Sequence, residues 1–470
     1  MISIDLDTLA HVVGGTLVAG RLDAVVTGVV IDSRLARPGV AFVALPGERT
    51  DGHAHIADAV ARGARAVVAS RDDDEVRGHA MEREDIGLVV VDDSLAALQQ
   101  LAAHHRSRLD GIVIGITGST GKTSTKDFVR AVLETTLRTE ATEGNRNNEI
   151  GLPLTILDAR PDVEALVLEM AMRGAGQIRE LCGIARPECG IITNIGVSHV
   201  EILGSEEAIA LAKAELIECV QAGGRVFLNG DDAWSRRIAE RAAGEVTWFG
   251  VDEGNDVTAR DIEVAVDGCV SFALSAGPVE QPVSLRVPGR HNVYNALSAA
   301  ALGLYLNLSP AHIAEGLSNA ALSAMRMEVF QTASGVTVLN DAYNANPTSM
   351  RAALRTLADV QPDDEGRRVA VLGDMAELGS LTELSHFRLG EEVAHLGLDL
   401  LVTAGPRARR IAEGALAEGM TANRVRECDD TETASALVSE ELQAGDVVLV
   451  KASRVMGLER VVERIVSPDA

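Results

Sequence analysis

Gly111-Ile112-Val113-Ile114-Gly115-Ile116-Thr117-Gly118-Ser119-Thr120-Gly121-Lys122-Thr123-Ser124 decides how this chain is read. Residues 111–117 are almost all apolar and rich in β-branched side chains, which suits a strand buried on both faces. A glycine-rich turn follows. Phe128, Val129, Val132 and Leu133 then recur at helical spacing within 122–137. Strand, turn and helix occur in the order a phosphate-binding loop requires. Gly118 and Gly121 let backbone N–H groups turn toward a polyphosphate, and the helix start adds its positive end. The expected cofactor is therefore ATP, held by Gly118, Ser119, Thr120, Gly121, Lys122, Thr123 and Ser124. Lys122 supplies a cation for the β- and γ-phosphates, and the Thr123 hydroxyl suits Mg²⁺. The strict pattern G-x-x-x-x-G-K-[ST] wants glycine at 116, where Ile116 stands, with Gly115 one place early.

Working outward, residues 165–168, 190–193 and 225–228 read as further buried strands. Residues 257–287 alternate polar and apolar, with turn signals at Asp267-Gly268 and Gly277-Pro278. They predict an antiparallel patch joined to a parallel sheet. Residues 291–306 are Ala-rich and helical. Upstream, 29–32, 40–45, 66–69 and 88–91 read as strands and 94–108 as a helix, with a soft boundary near Asp110. Downstream of Leu322, strands are expected at 335–339, 368–372, 398–403 and 447–450, with Asn346 capping a helix that starts at Pro347. Alternating β and α elements imply doubly wound sheets. The expected fold class is α/β in three domains, 1–109, 110–321 and 322–470: a small α/β domain, a central P-loop domain and a C-terminal Rossmann-like domain.

The 470 residues carry 43 basic and 69 acidic side chains, a formal net charge of −26. That balance argues against binding nucleic acid or anionic membranes, because phosphates would be repelled. Five cysteines, none in C-x-x-C pairs, suit reduced thiols rather than a disulfide frame or zinc site. Residues 1–7 are acidic where a signal peptide needs positive charge, and no apolar run nears the ~20 residues of a membrane span. The expectation is a soluble, cytoplasmic monomer.

Several side chains should gather at the carboxyl edge of the central sheet. Glu169 closes the run 165–168 and is placed to hold Mg²⁺. Asn194 and His199 follow 190–193 toward the same edge, although a lone histidine is more often structural. Lys213 sits in a mostly apolar helical stretch, where an isolated lysine would normally snorkel to water. The polar run 144–149 reads either as a turn or as a group of amides serving the loop, with Asn148 expected at the cofactor.

These motifs, in this order, resemble the Mur ligases of peptidoglycan synthesis. The resemblance rests on 32–34 with 47–53, 117–123, 144–153, 289–296, 341–347 (Asp-Ala-Tyr-Asn-Ala-Asn-Pro), 373–379 and 451–454. The Asn-rich and Tyr-Asn-Ala-Asn-Pro motifs point to the branch that adds D-alanyl-D-alanine to a UDP-N-acetylmuramoyl tripeptide through an acyl phosphate. The resemblance implies that residues 1–109 bind the UDP-sugar, with Asp32, Ser33 and Arg34 in its loop. It implies that Glu169 and His199 ligate two Mg²⁺, and that Lys213 is carbamylated and serves them as a carbamate. Asn292 and Asn295 would contact adenine, Arg326 the γ-phosphate, Asp341 the ribose, and Asn344 and Asn346 the dipeptide. Lys122, Lys213, His199 and Arg326 would be catalytic. The pattern departs from the family at Gly196-Val197-Ser198, at Ser323-Ala324-Met325 before Arg326, where no glycine stands, and at Met170-Ala171-Met172. Two alternatives are a sister ligase that adds a single amino acid and a non-catalytic ATP-binding regulatory module.

Overall fold

The computed structural model describes residues 1–47, 50–80, 85–198, 200–363 and 365–467. His199, Glu48 and Arg49 of the 47–53 motif, and part of the charged stretch 71–85 lie outside the described residues. The described strands form sheets of five, nine and six strands and a two-stranded ribbon.

The nine-stranded sheet holds the phosphate loop. Ile112–Thr117 lies between Cys189–Ile192 and Ala165–Glu169, parallel to both. The parallel run continues through Arg225–Asn229 and Glu245–Gly250 on one side and to Thr139–Ala141 on the other. Val257–Val264, Cys269–Ala276 and Val279–Pro288 complete the sheet as the expected antiparallel patch. Glu245–Gly250 and Thr139–Ala141 were not evident from sequence; the first is half-exposed over most of its length, and the second is three part-buried residues.

Alternation along the strands sorts the two faces. Ile114 and Ile116 pack with Phe128, Val129 and Val132 of helix Lys122–Glu134 and with Val293 and Ala296 of helix His291–Tyr305. Val113 faces the other way, toward Leu157, Ile178 and Leu216. Gly115 has a steric purpose on that second face. A Cβ there would come within 2.8 Å of Leu216 Cδ1 and 3.2 Å of Met170 Cε. Its absence lets helix Glu206–Glu218, which carries Leu216 and Lys213, lie close against the strand. The misplaced glycine of the loop pattern is thus a packing residue.

The five-stranded sheet runs Thr16–Ala19, Gly87–Val90, Ala66–Ala69, Ala41–Ala44, Val29–Val30, parallel except for the first pair. Its side toward the central region shares one continuous apolar core with the second face of the large sheet: Leu6, Val43, Val89, Leu98 and Leu101 join Leu152, Leu157 and Leu181. Helix Ser94–Arg106 forms the seam, and Arg106 donates to Ala185 O (2.9 Å) and Glu188 Oε1 (2.6 Å).

The six-stranded sheet runs Glu328–Gln331, Thr337–Asn340, Val447–Lys451, Arg368–Gly373, Leu400–Ala404, Val425–Cys428, parallel except for the first pair, with apolar clusters of its own on both faces. Asn346 caps helix Pro347–Asp359 through a reciprocal capping box with Ser349. No described helix is long and apolar enough to cross a membrane.

Candidate active site

The carboxyl ends of strands from the nine- and six-stranded sheets face each other across a cleft of about 960 Å³. From the central sheet come the loop 119–124, Glu169, Asn194 and Asn229; from the C-terminal sheet come Asp341, Tyr343, Asn344, Glu377, Lys451 and Ser453. Strand ends at a change of sheet order are where α/β folds hold ligands.

The loop is built by close approach. Gly121 has φ +77, and a Cβ there would meet Asn295 Oδ1 at 2.6 Å. Ser119 N donates to Asn194 O (2.9 Å), and the Thr120 backbone N–H and hydroxyl both donate to Asn194 Oδ1 (3.1 and 3.0 Å). Ser119 Oγ donates to Gly196 O (2.9 Å) and accepts from Ser198 Oγ (3.1 Å). Lys122 Nζ curls back onto Gly118 O at 2.8 Å. Its burial lowers the ammonium pKa, and Glu169 opposes that shift. Ser124 lines the cleft.

Glu169 is buried with both oxygens used. Oε2 accepts from Thr123 Oγ1 (2.9 Å) and Oε1 from Asn147 Nδ2 (2.8 Å). Its backbone N–H donates to Thr142 Oγ1 (3.0 Å). Asn147 and Thr142 were not singled out from sequence, although Asn147 lies in the polar run 144–149. Asn148 lines the cleft, but its Oδ1 accepts from Gly151 N (2.9 Å) at the next helix start.

Lys213 does not snorkel. It is 2% exposed, and burial followed by the neighbouring Lys122 charge holds its pKa well below the ordinary lysine value. None of the described residues forms a hydrogen bond or ion pair with it. It is a buried amine within reach of the Lys122 charge, and it does not line the cleft itself.

Asn292 and Asn295 are buried at the start of helix His291–Tyr305 and engaged locally. Asn292 Nδ2 donates to Pro288 O (2.8 Å), and Asn295 Nδ2 donates to Asn292 Oδ1 (2.9 Å). Both line the cleft.

The C-terminal lobe reaches the loop at two points and the helix after it at a third. Arg326 Nη2 donates to Thr123 Oγ1 (3.1 Å), Asn346 Nδ2 to Ser119 O (3.5 Å), and Lys126 Nζ to Ser323 Oγ (3.5 Å). Lys126 also pairs with Asp127 (2.7 Å), whose other oxygen accepts from Ser323 N (2.7 Å). These two buried charges escaped the sequence reading because adjacent helical residues give no periodic signal. Met325 and Met327 flank Arg326 with φ of +57° and +54°. The absent glycine before Arg326 is thus met by a strained methionine. Asp341 accepts from Lys451 Nζ at 2.5 Å. Lys451 is 1% exposed, and its burial lowers its pKa against the pull of Asp341. Asn344 lines the cleft and its carbonyl accepts from Lys451 Nζ (2.9 Å).

Asp32, Ser33 and Arg34 do not line this cleft. Arg34 folds back on Asp32 (2.6 Å), which holds the Asp32 carboxyl down at about 2. Arg34 remains largely exposed on the first sheet's edge.

Three family descriptions match the chain: "Mur ligase family, catalytic domain" over residues 25–106, "Mur ligase middle domain" over 116–303, and "Mur ligase, glutamate ligase domain" over 325–454. The UDP-N-acetylmuramoyl-tripeptide–D-alanyl-D-alanine ligase of Bacillus subtilis (strain 168) is 37% identical over 468 residues, covering 99% of each chain. Its namesake in Escherichia coli (strain K12) is 35% identical over 477 residues, again covering 99% of each. Among solved structures, a crystal structure of MurF from Acinetobacter baumannii superposes with a TM-score of 0.88 at 30% identity, covering 99% of both chains. The Thermotoga maritima MurF ligase in complex with ADP gives 0.80 at 30% identity, covering 93% of this chain and 96% of that one. Similarity of this extent runs through all three sheets and both sides of the cleft, and the chain belongs to the Mur ligase family.

Proposed function

We propose that the chain uses ATP to join D-alanyl-D-alanine to a UDP-N-acetylmuramoyl tripeptide. The observation that carries this reading, beside the full-length relatives, is the convergence of Thr123, Glu169, Lys122 and Arg326 in one cleft shared by two lobes.

A carboxylate is a poor electrophile. Transfer of the γ-phosphoryl group of ATP to the tripeptide's terminal carboxylate gives an acyl phosphate and ADP. The amine of D-alanyl-D-alanine then attacks the acyl carbon, and phosphate leaves. The first step brings two anions together. Lys122 and Arg326 approach the same point from opposite lobes and offset that repulsion. Water would hydrolyse the intermediate, so closure of the C-terminal lobe protects it. In this closed role Asn344 and Asn346 meet the dipeptide, Asp341 the ribose, Asn148, Asn292 and Asn295 the nucleotide, and Asp32, Ser33 and Arg34 the UDP-sugar.

The donor set fits Mg²⁺. Thr123 and Glu169 present a hydroxyl and a carboxylate 2.9 Å apart, oxygen ligands that a hard cation prefers. The described residues hold no group of three or more His, Cys, Asp or Glu able to bind a metal, so further ligands must come from substrate phosphates, from His199, or from a modified side chain. An ammonium at Lys213 would repel a dication. Its neutral amine, favoured by burial, can add to CO₂ with loss of one proton and become a carbamate, which supplies oxygens instead. Two Mg²⁺ would neutralise the transferring phosphoryl group and hold it in line.

On this reading the units are residues 1–109, 110–321 and 322–470, and the enzyme works as a cytoplasmic monomer, since one chain completes the cleft. The test is phosphate release from ATP with UDP-muramoyl tripeptide, comparing D-Ala-D-Ala with single amino acids. Release that depends on a single amino acid and not the dipeptide would overturn the substrate assignment.

A further inference from the structure

Arg326 occupies an awkward place. Its guanidinium tip donates to Thr123, but its Nε is buried with no hydrogen-bond partner among the described residues. Lys122 and Lys451 are both close enough for its charge to act on them. A flexible cation among other cations should swing away before a phosphate arrives, and the backbone on either side is already strained. Something must hold it.

The Tyr343 ring is what lies against it. The Arg326 Cζ atom sits 4.1 Å from the ring centroid, well inside cation–π range. Arg454 approaches the same ring at 5.9 Å and is itself tied to Glu459 at 2.7 Å. No hydrogen bond among the described residues uses the Tyr343 hydroxyl. Tyr343 follows strand Thr337–Asn340, and Arg326 precedes Glu328–Gln331, its antiparallel partner in the same lobe. Ring and guanidinium therefore travel together when that lobe moves.

We propose that Tyr343 is the positioning residue for Arg326: its aromatic face holds the guanidinium aimed at the phosphate loop, so that Arg326 reaches the γ-phosphate already oriented. The inference rests on the ligase reading above. The ring's attraction offsets the repulsion of neighbouring cations without adding a carboxylate, which would neutralise the arginine and repel the phosphates.

The experiment is a double-substitution cycle on the full chain, read as phosphate release with ATP, UDP-muramoyl tripeptide and D-Ala-D-Ala. Tyr343→Phe keeps the face and should turn over like the parent. Tyr343→Ala should lower kcat about tenfold, with the KM for the dipeptide unchanged. Tyr343→Met fills the space without a π-face and should match the alanine variant, which guards against a folding defect. In an Arg326→Ala background, Tyr343→Ala should cost nothing further. The inference is overturned if Tyr343→Phe is as slow as Tyr343→Ala, if the tenfold loss persists without Arg326, or if the loss falls on the dipeptide KM. Undiminished turnover of Arg326→Ala alone would instead overturn the catalytic role given to Arg326, and the inference with it.

Discussion

Arg326 and Thr123, 203 positions apart in sequence, share a hydrogen bond of 3.1 Å across the cleft. Thr123 Oγ1 in turn donates a hydrogen bond to Glu169 Oε2 (2.9 Å), so one short chain links the C-terminal lobe to the carboxylate behind the phosphate loop. An arginine that neutralises a transferring phosphoryl group contributes about 10³-fold or more to turnover. Arg326→Ala should therefore lose about 10³ in kcat while its thermal midpoint stays near the parent's; steady-state phosphate release and a melting curve read both.

Glu169→Gln keeps the shape and the Asn147 contact but removes the negative charge. Turnover should fall by about 100-fold or more, and the Mg²⁺ concentration giving half-maximal rate should rise. A chelator should abolish turnover and added Mg²⁺ restore it. An unchanged magnesium dependence in the glutamine variant would remove Glu169 from the metal site.

Lys213 gives a pH test whose sign is set by burial. Its folded pKa lies below the unfolded value, so between the two the unfolded chain binds more protons. Protein stripped of CO₂ should therefore grow more stable as pH rises through that window, up to about 10.4. Lys213→Met should lack this part of the rise. Adding bicarbonate should raise turnover of the parent and add the mass of one CO₂, visible in native mass spectrometry; no mass gain at saturating bicarbonate would refute the carbamate.

Met325 stands at φ +57°. A left-handed residue other than glycine costs roughly 1 kcal/mol. Met325→Gly should leave stability unchanged or raise it by up to about 1 kcal/mol, whereas Met325→Val, stiffer at Cβ, should lose at least that much. Chemical denaturation distinguishes the two signs.

Asp341 and Lys451 form a pair in which the lysine is almost wholly buried. Asp341→Asn leaves that ammonium uncompensated and should destabilise the C-terminal lobe by about 3 kcal/mol. Adding Lys451→Met should recover much of the loss, because no buried charge then remains. Failure of the second change to help would mean the aspartate acts elsewhere.

Much of the site was legible because its residues sit where period-two strands end. Glu169 was found by closing an apolar run, and the same rule would have reached Lys451, which closes 447–450. Short edge strands such as Thr16–Ala19 and Glu328–Gln331 were not evident, since half-exposed segments of four residues carry little pattern. The Lys126–Asp127 pair was invisible because its partners, Thr142 and Ser323, are distant in sequence. His199 lies outside the described residues, so its expected role stays a proposal.

Leu6, Val43 and Leu98 of the first region share one apolar cluster with Leu152 and Leu181 of the central region, while the C-terminal lobe keeps clusters of its own. Cooperativity follows shared core rather than sheet number. Calorimetry should accordingly record two endotherms, with residues 1–321 melting together. A gene fragment ending near 109 would strand half of a hydrophobic interior, whereas one beginning near 322 would encode a piece able to fold by itself.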